Sequence, residues 1–373
     1  MGKRIRIQRL RRSALVLAAP LVAALLQPAA AADLNVVSWG GVYMKSQILG
    51  AVRPFEDTTG KSVEVLSYNG GLEEVRAQVY SYNVKWDVID IELGDALRGC
   101  EEGLFVEVDH DDLPPSPDGV PAREDFLPGT LTECAVGSVI WTTVLGYRAG
   151  SFGDDPPDSV EDFFDIDQYP GHRGMRRTPK RNLEWALIAD GVPADKVYEV
   201  LATPAGQDRA FETLSRIKPL LVWWDTGIES IRNLRNGDVR LSTVWSGRAW
   251  EADTHRGAEL ELIWNHQIWS VDLWAVLKHG RRQDLAMDFL RFATSTETLA
   301  RQTQYIPYGP ARRSAEALVP EAMLAYLPTA ESHMAAGALE FDAEFWSRHF
   351  DRINHRFQRW LERPVRVPEY LPR

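Results

Sequence analysis

Short runs of β-forming residues alternate with stretches whose apolar residues recur at helical spacing. That alternation limits the chain to α/β architectures built on largely parallel sheets covered by helices. Leu34 to Val37 reads as a strand, and Met44, Ile48, Val52 and Phe55 then recur as one face of a helix that stops at Thr59-Gly60. Ser62 to Tyr68 reads as a second strand, Leu72 to Tyr82 as a helix, and Trp86 to Ile91 as a third strand. After a proline-rich stretch from Pro114 to Pro128 the alternation resumes. Strands are predicted at Ser138 to Tyr147, Leu241 to Trp245, Leu260 to Trp264 and Trp269 to Leu277, with helices at Leu183 to Ala189, Ala210 to Ile217 and Asp284 to Ala293. A chain of 373 residues exceeds the size at which one hydrophobic core stops growing, so two α/β units are expected. Near the C-terminus Phe345, His349, Ile353, Phe357 and Trp360 form a helical stripe that reads as packing.

The N-terminus carries an address. Basic residues, the apolar run Ala14 to Leu26 and then Pro28-Ala29-Ala30-Ala31-Ala32 match a secretory signal with cleavage expected after Ala32. The apolar run is shorter than the roughly 20 residues that span a bilayer. The formal charge is −11, and the first 32 residues hold six basic groups and no acid, so the remaining chain is more acidic still. Such a surface repels phosphate backbones and attracts cations, which excludes nucleic acid as the expected partner. Cys100 and Cys134 are the only cysteines, and an even pair in an exported chain reads as a disulfide.

Known catalytic and phosphate-binding signatures are missing: there is no G-x-x-x-x-G-K-[ST], G-x-S-x-G, H-E-x-x-H or C-x-x-C. What stands out is aromatic residues beside glycines or carboxylates at strand ends. Ser38-Trp39-Gly40-Gly41-Val42-Tyr43 follows the first strand, at the edge where open parallel sheets bind ligands. Glu92 occupies the matching edge after the third strand, and Asp95 reads as a helix cap. Trp223-Trp224-Asp225, Val244-Trp245-Ser246-Gly247-Arg248 and Trp269-Ser270-Val271-Asp272 repeat the theme. Indole faces attract ammonium groups and a carboxylate fixes their position, so these segments together suggest a cation cage.

S-W-G-G-x-Y, W-D-V-I-D, N-L-E-W-A-L (Asn182 to Leu187), V-W-S-G-R and Q-Y-I-P-Y-G-P (Gln304 to Pro310), together with the leader, resemble the spermidine/putrescine-type periplasmic solute-binding proteins of bacterial ABC importers. The resemblance covers essentially the whole mature chain. It implies a two-lobed periplasmic binding protein fold of type II, each lobe a mostly parallel sheet flanked by helices, with the ligand cleft between lobes. The implied division is 1–32 signal peptide, 33–143 first part of lobe 1, 144–271 lobe 2, 272–312 return to lobe 1, and 313–373 C-terminal helices packing mainly on lobe 2. It also implies a monomer in the periplasm, without catalysis, cofactor or metal, delivering an amine to a membrane permease with a cytoplasmic ATPase.

By position, Trp39 and Tyr43 resemble the family's first-lobe aromatics, Trp245 its stacking tryptophan, Asp272 its amine-pairing carboxylate and Tyr305 its late cleft tyrosine. Glu92, Trp224, Asp225, Arg181 and Arg248 complete the expected ligand-binding set. The arginines depart from the pattern: polyamine binders of the family place acids just ahead of the helix that here begins N-L-E-W-A-L, where this chain has Thr178 and Arg181. If Arg181 or Arg248 faces the cleft, a linear polyamine meets like charge, whereas an ω-amino acid such as 4-aminobutyrate brings a matching carboxylate. A third ligand class is Fe³⁺, with Tyr305 and Tyr308 as the residues to watch. An exported enzyme with an unfamiliar site is the remaining alternative.

Overall fold

A computed structural model describes residues 31–364. The expected leader, residues 1–32, lies outside the described residues except for its last two. Ten strands form one sheet: β1 (Leu34–Ser38), β2 (Val63–Ser67), β3 (Val88–Glu92), β4 (Ala135–Arg148), β5 (Arg173–Arg176), β6 (Leu221–Trp224), β7 (Leu241–Trp245), β8 (Leu260–Val276), β9 (Gly309–Pro310) and β10 (Leu339–Glu340). The order is β2-β1-β3-β8-β4-β7-β5-β6, with β9 beside β4 and β10 beside β8.

Two parallel triplets, β2-β1-β3 and β7-β5-β6, are the α/β units read from the sequence. Between them lie β4 and β8, 14 and 17 residues long and antiparallel to each other. The early part of β4 pairs with the late part of β8 beside β3; the late part of β4 pairs with β7 and the early part of β8. Both strands therefore run from one triplet to the other. Their ladder slips register between Gly137 and Val139 and again between Thr143 and Leu145, and His266 in β8 sits at φ 49°. Such irregularities bend a strand without ending it. The two strands predicted at Leu260 to Trp264 and Trp269 to Leu277 are thus one strand with a bend at His266.

Helices cover the triplets as their apolar faces dictate. α1 (Gly41–Gln47) and α2 (Arg53–Thr59), joined by a π-helical turn, bury Ala51, Val52 and Phe55 against Leu34 and Val36. α3 (Glu73–Tyr80) and α4 (Leu93–Glu101) cover the other face, with Val75, Val79 and Ala96 against Ile89 and Ile91. In the second triplet the helices Asn182–Ala189 and Pro204–Ile217 pack Trp185, Leu187 and Leu214 into one core. The C-terminal helix Ala343–Glu362 adds Phe345, Trp346, Ile353, Phe357 and Trp360 to it, so the predicted stripe is packing. That helix also reaches α4 of the first triplet, where Arg98 pairs with Asp351. Cys100 in α4 is bonded to Cys134, just ahead of β4, with Cα atoms 5.7 Å apart. Among the described residues no helix is long and apolar enough to cross a membrane.

Candidate functional site

The carboxyl ends of the parallel strands converge. Trp39 follows β1, Glu92 ends β3, and Arg176, Trp224 and Trp245 end β5, β6 and β7. Mid-strand positions of β4 and β8 supply Trp141 and Asp272. Both triplets thereby present the edge at which α/β sheets bind ligands to a common cavity. The cavity is small, opens to solvent on one side and is lined by Trp39, Tyr43, Trp141, Arg176, Trp245, Arg248, Asp272 and Tyr308. The space between these side chains is narrow, and suits a ligand of few atoms.

One wall is acidic. Asp90 on β3 is fully buried and accepts hydrogen bonds from Trp39 Nε1 (2.8 Å), Tyr43 Oη (2.9 Å) and Gln47 Nε2 (2.6 Å). Asp272 accepts from Trp141 Nε1 at 2.8 Å. Burial pushes the Asp90 carboxyl up to about 7, against the lowering effect of those donors. Burial, then the neighbouring Asp90 charge, pushes Asp272 well above the usual carboxylate range. Two like charges buried side by side do not both ionise at neutral pH, so at least one of the two carboxyls keeps its proton.

Arg176 and Arg248 are the cavity's cationic lining residues. The Arg176 guanidinium lies 5.2 Å from the Trp245 ring centroid and 5.9 Å from that of Trp39, and its Nη2 donates to Asn69 O at 2.8 Å. Arg248 lies 4.8 Å from the Trp245 ring and donates from Nη2 to Trp39 O at 2.8 Å. Its Nε is buried without a partner. Burial lowers the pKa of both arginines, yet a guanidinium stays charged. Glycines make room for these side chains. A Cβ on Gly41, at φ 60°, would stand 2.3 Å from Arg248 Nη1, and one on Gly227 would meet Trp245 and Arg248 at 2.4 Å. Tryptophan faces close the remaining sides: Trp245 meets Trp39, Trp141 and Trp224 edge to face at 6.3, 5.9 and 5.5 Å.

Of the residues expected from sequence, Trp39, Tyr43, Trp245, Arg248 and Asp272 line this cavity together. Trp224 is buried one layer behind, against Trp245. Asp225 is at the surface, 4.0 Å from Arg177. Tyr305 is 36% exposed, and Tyr308 lines the cavity instead, so the two tyrosines do not converge on one point. Among the described residues no group of three His, Cys, Asp or Glu side chains is placed to hold a metal ion. Glu92 and Arg181 face each other: Arg181 Nη2 donates to Glu92 Oε1 at 2.5 Å, and Lys180 Nζ lies 3.2 Å from Glu92 Oε2 and 3.1 Å from Asp95 Oδ1. Burial alone would raise the Glu92 carboxyl, but the charges of Arg181 and Lys180 hold it down at about 2.

Trp141 and Arg176 were not expected, and Tyr308 was singled out only for the Fe³⁺ alternative. Trp141 is an aromatic in mid-strand, where core burial is its ordinary role. β5, Arg-Gly-Met-Arg, lacks any alternation that would have placed Arg176 at a strand end. Tyr308 shares the Gln304 to Pro310 motif with Tyr305, and its proximity to Ile306 and Tyr43 is a tertiary fact.

The family profile for bacterial extracellular solute-binding proteins matches residues 50–330. A γ-aminobutyric acid-binding protein of Pseudomonas aeruginosa is 38% identical over 331 residues, covering 89% of this chain and 91% of that one. Among solved structures, the periplasmic binding protein MotA of A. tumefaciens B6 in complex with glucopine has TM-score 0.81 at 26% identity, over 88% of this chain and 99% of that one. The GABA receptor Atu4243 has TM-score 0.77 at 28% identity, over 90% and 99%. The spermidine/putrescine-binding PotD of Streptococcus pneumoniae, at 15% identity and TM-score 0.65, shares the fold. The expected resemblance to spermidine/putrescine proteins thus holds for the fold, with PotD a distant structural neighbour.

Proposed function

The chain belongs to the bacterial extracellular solute-binding protein family, and from that premise we propose that it captures a short ω-amino acid, of which 4-aminobutyrate is the leading candidate, in the periplasm. As a member of that family it is the substrate-binding component of an ABC import system, working with a membrane permease. The observation that carries the ligand reading is the presence of both signs of charge in one small cavity. Arg176 and Arg248 line it together with Asp272, whose carboxyl neighbours the fully buried Asp90, and indole faces complete the lining. A carboxylate on the ligand satisfies the guanidinium donors, including the orphaned Arg248 Nε. An ammonium group at the other end takes the negative charge of the carboxyl pair and the quadrupole of the tryptophans.

The 38% identity to a γ-aminobutyric acid-binding protein supports the same reading. A di- or polyamine is the second reading, favoured by Asp272, but its additional ammonium groups would meet Arg176 and Arg248. Closure is the working step: ligand that bonds both triplets at once stabilises the closed arrangement by its differential affinity for it. Calorimetric titration of the purified protein with 4-aminobutyrate, putrescine and spermidine tests this. Heat of binding with 4-aminobutyrate and none with the amines is expected. Binding of putrescine or spermidine in place of 4-aminobutyrate would overturn the assignment.

A further inference from the structure

Beside the ligand cavity lies a second carboxylate site that is already filled. Glu92 and Asp95, at the end of β3 and the start of α4, are both buried. Lys180 Nζ sits between them at 3.2 and 3.1 Å, and Arg181 caps Glu92 from the other side. The two cations come from the segment between β5 and the helix Asn182–Ala189, across the sheet from the acids. Trp39 and Arg176 line both the cavity and the groove that holds Glu92, Asp95 and Lys180, so the cluster borders the cavity. The Arg181 guanidinium also lies 4.5 Å from the ring centroid of Trp141, a cavity residue, and 4.4 Å from that of Phe341.

We propose that Lys180 and Arg181 act as a built-in counter-cation, filling the site formed by Glu92 and Asp95 and so restricting the cleft to ligands with a single ammonium group. This rests on the ω-amino-acid reading above and deepens it. An ammonium held between two carboxylates beside an aromatic cavity is the contact a second amine of a linear diamine would make. Here the protein makes it with its own lysine, so a diamine finds the place taken and meets positive charge. Burial of four charges is poor economy for stability alone, because apolar residues of similar volume hold a fold as well or better. Arg181 moreover sits at φ 69°, a backbone conformation unfavourable for any residue with a Cβ, and such strain clusters where function requires a fixed side chain. The carboxylate of Glu92, held at about 2, stays fully ionised throughout the physiological range.

The test compares 4-aminobutyrate and putrescine by calorimetry on wild type, on Lys180→Met, on Lys180→Arg and on the triple variant Lys180→Met/Glu92→Gln/Asp95→Asn. Lys180→Met is expected to raise the affinity for putrescine relative to 4-aminobutyrate by about tenfold or more, equivalent to about 1.4 kcal/mol. Lys180→Arg should retain the exclusion, and the triple variant should lose the gain because the vacated acids are neutral. A folded Lys180→Met protein with an unchanged ratio overturns the proposal, as does a triple variant that gains as much. If Lys180→Met unfolds, putrescine but not 4-aminobutyrate should restore its thermal transition, and no restoration by putrescine overturns the proposal as well. Wild type that ignores 4-aminobutyrate would instead overturn the ligand reading, while Lys180→Met still reports on the counter-cation.

Discussion

Replacing Asp90 by Asn should reverse part of the protein's dependence on pH. In the folded state burial holds the Asp90 carboxyl near 7, against an ordinary value of 3.8. The folded protein therefore keeps a proton that the unfolded chain releases, and stability falls as pH rises through that interval, then levels off above it. At about 1.4 kcal/mol per unit, the interval is worth on the order of 4 kcal/mol. About 3 kcal/mol of that falls between about pH 5 and about pH 8. Asparagine keeps the shape and an oxygen for Trp39 Nε1 but has no charge to desolvate. It also relieves Asp272 of its nearest like charge. Glu184, buried under Trp346 and likewise pushed up to about 7, tilts both proteins equally and cancels in their difference. Urea unfolding of the ligand-free pair, at several pH values, should show Asp90→Asn gaining on wild type by about 3 kcal/mol over that range. A difference that stays flat with pH, or that moves the other way, would refute the account of the carboxyl pair.

Two further outcomes follow from the same geometry. Arg248→Met should weaken 4-aminobutyrate binding by roughly two to three orders of magnitude, the cost of leaving a ligand carboxylate short of its buried charge partner, while its melting temperature stays near that of wild type; titration calorimetry beside a thermal melt checks both. Replacing both Cys100 and Cys134 by Ser should lower unfolding free energy by about 3–4 kcal/mol without altering ligand affinity, because the bond restrains the unfolded chain and lies away from the cavity; denaturant curves with and without reductant measure it.

The fold was legible because period and length speak for themselves in β1 to β3, β7 and the helices that follow them. β5 and β6 were harder: Arg173–Arg176 has two arginines and a glycine in four residues, and only its neighbours in the sheet make it a strand. His266 shows the converse, since a bend in a long strand breaks the apolar pattern and reads as two strands. Within the site, Trp39, Tyr43, Trp245, Arg248 and Asp272 were readable because each follows or lies in a recognisable strand and belongs to a family motif. Arg176 and Arg181 stand five residues apart in one segment, and nothing local says which of them faces the cavity. Arg181 is drawn away by Glu92, 89 positions earlier, and Arg176 is left over the tryptophans. The choice is made by tertiary electrostatics, to which single-chain patterning is blind.

Asp272 and Trp141 sit within β8 and β4, the strands that pass from one triplet to the other, whereas Arg176 ends β5 and Arg248 lies in the first turn of the helix after β7, both carried by the second triplet. Points near a pivot travel little, and points at the rim of a lever travel far. Were the triplets to part about the crossing strands, Asp272 would stay beside the proposed ligand while Arg176 and Arg248 swung off. On the ω-amino-acid reading proposed above, departure would then be sequential: the ligand's acid end freed first and its amine end last, so that the half-open protein retains a tethered passenger.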